Sequence, residues 1–215
     1  MKQFAVIGLG KFGASIARTL YGMGYDVLAI DKNEEVVQEL SNFVTHAVQA
    51  DATEEQTLKS LGIKNFDVAV VTIGSDIQAS ILISLLCKEL GVPYVLAKAQ
   101  SELHAKVLYK IGVDKVILPE RDMGIRVAHN LVSSNILEYI ELSPDYRLVE
   151  LSALKEWNGK SLKDINMRSK YGVNVIAVKH GKDIKVSPKG DSVIHEGDIL
   201  VVIGSKEDIE RLEKK

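Results

Sequence analysis

Three glycines, Gly8, Gly10 and Gly13, stand at G-x-G-x-x-G spacing directly behind the apolar run Phe4 to Ile7. A helical pattern follows them, and a second apolar run ends at Asp31. Each part suits the handling of a phosphorylated ribose. Gly8 permits a tight exit from a strand, Gly10 lets a phosphate approach the backbone, and Gly13 lets the helix pack closely on the strand. The first-turn amides of that helix point at an anion, and its dipole favours one. A carboxylate at Asp31 can accept both ribose hydroxyls and repels a 2′-phosphate. The glycine spacing alone is a weak signal. Strand, glycines, helix, strand and acid in register together point to a nucleotide-binding Rossmann unit.

Further candidates stand where later strands should end. Asp51-Ala52-Thr53 follows a third strand, His46 to Gln49, and Ile73-Gly74 follows a fourth, Asp67 to Thr72. Asp51 suits either an adenine exocyclic amine or a helix cap. Ile73 and Gly74 suit an apolar wall beside a base or ribose, or a plain turn. Lys11, inside the glycine loop, suits a highly charged phosphate chain or is simply solvated. Lys98 follows a fifth strand and Glu120 a sixth. Both should face the same sheet edge, or be an ordinary surface lysine and a first-turn acid.

The elements that must carry these residues alternate in type. Asn33 caps a helix to about Leu40 that has an acidic first turn, Glu34 and Glu35. Thr53 with Gln56 reads as a capping box for a helix to about Leu61. A long helix ends near Leu90 with Gly91 behind it, strand five runs from Tyr94 to Ala97, Ser101 caps a helix to about Ile111, and Lys115 to Leu118 is strand six. Six strands with five intervening helices predict an α/β, Rossmann-like doubly wound parallel sheet over residues 1–119. In such a sheet, strand ends converge on a crevice at the switch point.

After Pro119 a helical pattern runs from Glu120 to about Asn135, with Val127, Ala128, Leu131 and Val132 on one side. Residues 120–136 are the expected crossover helix. Residues 137–215 are the expected second, small α+β domain: Tyr146 to Leu151 alternates, Val173 to Val178 and Ile199 to Ile203 are continuous apolar runs, and Ser205 caps a closing helix to Leu212.

Composition narrows the function. The chain has 215 residues, is 46% hydrophobic and carries a net charge of −2, so nothing draws it to nucleic acid. Its longest apolar stretch, Ile81 to Cys87, falls far short of the roughly 20 residues a membrane span needs. The N-terminus enters a core strand almost at once, so no secretory signal is expected and a cytoplasmic protein is the default. Cys87 is the only cysteine and reads as a buried thiol. His46, His104, His129, His180 and His195 show no zinc-motif spacing, so a zinc site is not expected. No Ser-His-Asp pattern, nucleophile elbow or P-loop is present, so no catalytic constellation is visible.

Val-Ile-Gly-Leu-Gly-Lys-Phe-Gly at the start, Ala-Ile-Asp-Lys-Asn at 29–33, Gln-Ala-Asp-Ala-Thr at 49–53, Leu-Ala-Lys-Ala at 96–99 and Leu-Pro-Glu-Arg-Asp-Met-Gly at 118–124 resemble an RCK (regulator of K+ conductance) domain. The second domain resembles the C-terminal RCK lobe. The whole chain resembles the cytosolic regulatory subunits of bacterial Ktr-type potassium uptake systems. This resemblance implies a homo-oligomer, dimers assembling into an octameric ring, docked at the inner face of the cell membrane beneath a membrane potassium-translocating subunit. It implies that ATP and ADP compete for the crevice and that ATP favours the conducting state.

By the same resemblance Gly8, Gly10, Phe12 and Gly13 match the phosphate loop, and Asp31, Lys32 and Asn33 the ribose edge. Asp51, Ala52 and Thr53 match the adenine edge, and Ile73 and Gly74 the opposite wall. Lys98 and Glu120 match positions near the phosphates, Glu120 also as a ligand for a divalent cation such as Mg2+ or Ca2+. The family often has Arg at position 11. Lys11 here is a point charge, without the bidentate grip of a guanidinium. Ile165, Arg168, Asn174, Ile176 and Pro188 resemble a cyclic di-AMP site; alternatively Ile176 is core, Arg168 a solvated charge and Pro188 a turn. The competing expectation is a small NAD(H)-dependent oxidoreductase or NAD(H)-binding sensor, which Asp31 serves equally well.

Overall fold

The structure is a computed structural model that describes residues 2–132 and 136–213. The chain divides into two compact units, residues 1–119 and 120–215.

In the first unit the apolar runs become β1 (Gln3–Ile7), β2 (Asp26–Asp31), β3 (His46–Gln49), β4 (Val68–Val71), β5 (Tyr94–Lys98) and β6 (Lys115–Ile117). Between them lie α1 (Lys11–Gly22), α2 (Glu34–Leu40), α3 (Glu55–Ser60), α4 (Ile77–Glu89) and α5 (Glu102–Lys110). The strands pair in parallel in the order β3-β2-β1-β4-β5-β6. Successive side chains of a strand face opposite sides of the sheet. Thus Ala5 and Ile7 of β1 join a core with Leu58, Ile83 and Leu108 from α3, α4 and α5, while Val6 joins a core with Ala17, Val37 and Leu40 from α1 and α2. Each fully buried Leu or Ile contributes about 1.5–3 kcal/mol. The predicted doubly wound sheet is the one observed, and its order reverses between β1 and β4.

Asn33 caps α2, its Oδ1 accepting from Glu35 N at 2.9 Å, and Ser101 caps α5. The expected capping box at Thr53 is corrected. α3 begins one residue later, behind Glu54, and no side chain caps it. The Thr53 hydroxyl is instead taken up by Asp51 Oδ1 at 2.6 Å, a shorter-range partner than the N-terminus of the helix. Asp76, not expected as a cap, holds α4 by accepting from Ala79 N at 3.0 Å.

Cys87 is fully buried, and desolvation pushes its thiol up to about 12. His104 on α5 is also buried. Its Nδ1 accepts from Gln100 N at 3.3 Å, and its Nε2 has no hydrogen-bond partner among the described residues. Burial lowers its pKa, so the imidazole is neutral in the fold. An unfolded chain binds that proton at about pH 6.5. The stability due to neutral His104 is therefore present above about pH 6.5 and is lost as pH falls through the lowered folded value. Urea midpoints between pH 7.5 and 5 should fall, and His104→Leu should flatten that part of the profile. An unchanged slope in the variant would assign the effect elsewhere.

The second unit begins with α6 (Pro119–Val132), on which Met123, Ile125, Val127 and Leu131 are exposed in this chain. The end of the expected helix, Ser133 to Asn135, lies outside the described residues. There follow β7 (Ile136–Glu141), β8 (Tyr146–Ser152), α7 (Leu162–Ile165), α8 (Met167–Tyr171), β9 (Asn174–His180), β10 (Asp183–Val186), β11 (Ile199–Ser205) and α9 (Lys206–Glu213). The five strands form an antiparallel sheet in the order β10-β9-β11-β8-β7. Its core is centred on Trp157, whose Nε1 donates to Tyr171 Oη at 3.1 Å while that hydroxyl donates to Glu156 at 2.7 Å. Ser205 accepts from Asp208 N and so caps α9 as expected.

Candidate nucleotide-binding crevice

All six parallel strands point their C-terminal ends to one edge, and the candidate residues of the first unit arrive there. β1 leaves through Gly8 at φ +93°, a left-handed conformation that glycine adopts without strain. A Cβ at Gly13 would stand 2.0 Å from Gly8 O and 2.4 Å from Thr72 Oγ1, so α1 meets the end of β1 at a distance only glycine allows. Gly10 differs. Its φ is ordinary, and a Cβ there would meet nothing within 4 Å. Packing inside the protein does not demand glycine at this position, and the space beside it is open to a ligand.

Asp31, at the end of β2, is half-buried. Its Oδ2 accepts from Leu9 N at 2.6 Å and its Oδ1 from Asn33 N at 2.9 Å. Each oxygen keeps further acceptor capacity, so the carboxylate can staple the glycine loop and still receive hydroxyl donors. Thr72, at the end of β4, donates to Gly8 O at 2.5 Å and fixes the other side of the loop. Neither Leu9 nor Thr72 stood out in the sequence. Leu9 takes part only through its backbone amide, which carries no residue-type signal, and Thr72 reads as a strand end.

Ile73 lies against Gly8, within 3.2 Å of where a Cβ would be. Lys98, at the end of β5, holds its ammonium 5.8 Å from the centroid of the Phe12 ring and 3.7 Å from the Cβ position of Gly74. The glycine loop, Phe12, Ile73, Gly74 and Lys98 are thus brought together across the switch point. Lys11 is exposed at the first position of α1, which has no side-chain cap, so the first-turn amides of that helix are of the kind that suits an anion.

The remaining candidates are tied in more loosely. Ala50 N donates to Asp31 O at 2.9 Å, which joins the exit of β3 to the Asp31 turn. Beyond it Asp51 turns back on Thr53, and the Thr53 hydroxyl, helped by the Thr53 amide, holds the Asp51 carboxyl below its ordinary value. Ala52 is buried. Lys32 is exposed, and Asn33 spends its side-chain oxygen on capping α2. Glu120 lies in the first turn of α6 and belongs to the second unit. In that unit Ile165 is buried at the end of α7, Arg168 is exposed on α8, and Asn174 and Ile176 lie on β9. Ser187 N donates to Ile176 O at 2.7 Å, which brings the chain just before Pro188 beside Ile176.

Residues 4–119 match the TrkA-N domain model and residues 146–215 the TrkA-C domain model. The chain is 51% identical over 214 residues to the Ktr system potassium uptake protein C of Bacillus subtilis, covering 100% of this chain and 97% of that one. Among solved structures it superposes on the GsuK RCK domain with a TM-score of 0.71 at 17% identity, covering 99% of this chain and 47% of that one. It also matches GsuK bound to ADP with a TM-score of 0.51 at 28% identity, over 60% of this chain and 33% of that one. The resemblance read from the sequence motifs is borne out. Among the described residues no helix is long and apolar enough to cross a membrane.

Proposed function

The chain belongs to the Ktr system potassium uptake family, with the TrkA-N and TrkA-C domains, and on that footing we propose that it is a nucleotide-sensing regulatory subunit that gates a membrane potassium-translocating partner. The observation that carries this reading is the glycine loop, stapled by Asp31 and open at Gly10, with Lys98 beside Phe12 across the switch point. The ADP-bound relative supports an adenine nucleotide as occupant. Asp31 takes the ribose, the α1 amides take the first phosphates, and Lys11 and Lys98 supply charge for a longer phosphate chain.

The protein acts by binding rather than by turnover. It lies at the cytoplasmic face of the membrane through its partner, as an octameric ring of dimers. A nucleotide shifts such a ring only by its difference in affinity for two ring shapes. ATP, with one more phosphate than ADP, favours the conducting shape. A divalent cation, Mg2+ or Ca2+, held by Glu120 accompanies ATP. In the second unit a cyclic dinucleotide such as cyclic di-AMP is received by Arg168 and Asn174 beside Ile165, Ile176 and Pro188. NAD(H) is the competing occupant of the crevice, since its ribose makes the same demand on Asp31.

Calorimetric titration with ATP, ADP and NADH separates these readings. Saturable ATP and ADP binding is expected, and tight NADH binding with no response to ATP would overturn the proposal. Glu120→Gln should weaken ATP binding in the presence of Mg2+ or Ca2+ by about tenfold, the loss of one charge-assisted contact, while ADP binding changes less. Equal losses for both nucleotides would remove the cation role from Glu120.

A further inference from the structure

We propose that His180, His195 and Asp198 form a binding site for a zinc-class divalent transition-metal ion in the second unit. The argument starts from strand register. β9 ends at His180, and β11 pairs antiparallel with β9 so that Ile199 faces Lys179. One step further along that register, Asp198 falls opposite His180. The turn before β11 then brings in the third residue. Asp198 N donates to His195 O at 3.2 Å, Gly197 takes φ +87°, and His195 N donates to Asp198 Oδ2 at 2.8 Å. Residues fifteen apart in sequence, His180 and His195, thus meet around one carboxylate. No zinc-motif spacing announces this, because the strand pairing and not a local turn assembles it.

The site is held before any ion arrives. Asp198 O accepts from Ala153 N at 2.8 Å, Gly159 N donates to Ile194 O at 2.8 Å, and Glu196 N donates to Asn158 Oδ1 at 3.0 Å. Asp198 is 2% exposed, while the imidazoles of His180 and His195 are 71% and 60% exposed. The carboxylate is therefore the fixed floor of the site, and the histidines are its adjustable walls. His180 Nδ1 lies 2.6 Å from Asp198 Oδ1, His195 Nδ1 lies 3.8 Å from Asp198 Oδ2, and the three ligand atoms lie within 4.8 Å of one another. A tetrahedral ion with bonds of roughly 2.0–2.2 Å sets its ligand atoms roughly 3.4 Å apart. The observed separations bracket that value, so small rotations of two exposed rings close the site.

Donor chemistry selects the ion. Two imidazoles and one carboxylate suit Zn2+, Co2+ or Ni2+, whereas Mg2+ and Ca2+ prefer oxygen donors throughout. The site opens onto a cavity of about 460 Å³ that Asp183, Lys185 and Ser192 also line, leaving room for water as the fourth ligand. A bound ion would tie the β9–β10 hairpin to the entry of β11.

The test uses full-length protein without an affinity tag and without nucleotide. CoCl2 is titrated and followed by visible absorption, ZnCl2 is titrated by calorimetry, and the His180→Ala, His195→Ala and double variants are compared. One ion per chain is expected, with a visible Co2+ band. Each single variant should lose more than the roughly 10–100-fold in affinity that outer-shell changes cost. His195 Nδ1 makes no hydrogen bond to Asp198, so metal-free His195→Ala should melt near the wild type, whereas His180→Ala and the double variant lose the partner of Asp198 Oδ1 and should melt somewhat earlier while keeping a wild-type far-UV circular dichroism spectrum, which shows that the fold is intact. Absence of saturable binding, or undiminished affinity in the double variant, would overturn the site.

Discussion

Asp31→Ala is expected to abolish adenine-nucleotide binding, and to do so through two losses at once. The first is the acceptor for the ribose hydroxyls. Hydrogen bonds to a charged group contribute about 1.5–3 kcal/mol each, so losing a pair lowers affinity by roughly 10²–10⁴-fold. The second loss is the staple. Leu9 N and Asn33 N both donate to this carboxylate; the Asn33 bond is exposed and water can replace it, but the part-buried Leu9 amide left without a partner costs about 1–3 kcal/mol. The variant should therefore also melt earlier than the wild type without any ligand present. Asp31→Asn helps to divide the two effects. Its amide keeps the volume but offers a donor to one of two backbone donors. Titration with ADP, alongside ligand-free melting of all three proteins, checks the expectation. Wild-type affinity in Asp31→Ala would remove Asp31 from the ribose role.

Gly13→Ala should have the largest effect on the fold. The new methyl would lie 2.0 Å from Gly8 O, and that oxygen has no room to retreat. Gly8 N donates to Ile30 O at 2.8 Å, Thr72 N donates to Ile7 O at 2.8 Å, and the Thr72 hydroxyl donates to Gly8 O. α1 must move off the sheet, at a cost of about 3 kcal/mol for a forced methyl in a packed site. Nucleotide binding falls with it, because the amides of α1 lose their aim. Gly10→Ala is the matched control. It has the same chemistry in the same loop, but its Cβ meets nothing within 4 Å, so the ligand-free melting temperature should stay near wild type while nucleotide affinity drops. If both variants melt like the wild type, the close contact at Gly13 is not maintained in solution.

Much of the first unit was legible because strand, turn and helix each leave a local mark. Phe4 to Ile7, the glycine spacing and the acid at Asp31 lie within one stretch, and the strand ends that face the crevice follow from the parallel order. What escaped were contacts made by atoms without residue-type signals or by distant pairing. The Leu9 amide belongs to the first kind. Thr53 read as a cap because its spacing to Gln56 was right, yet the nearer Asp51 carboxylate takes its hydroxyl. β7 and β10 were missed for other reasons. β7 buries Ile136 and Tyr139, three apart across a register shift, so it does not alternate. All four residues of β10 are exposed and it forms an edge of its sheet, so no alternation of buried and solvated positions marks it. The His180, His195 and Asp198 cluster is the extreme case, since it exists only through the register of β9 and β11.

The staple at Asp31 also bears on time. A carboxylate already locked by Leu9 N and Asn33 N has little rotamer freedom left to surrender when a ribose arrives. Capture then needs no slow rearrangement of the ribose end of the crevice, and arrival rates stay within the usual narrow range. Differences between nucleotides fall on how long each one stays. On the proposed function, how long a nucleotide is sensed is then set by its departure, and the phosphate end of the crevice times it.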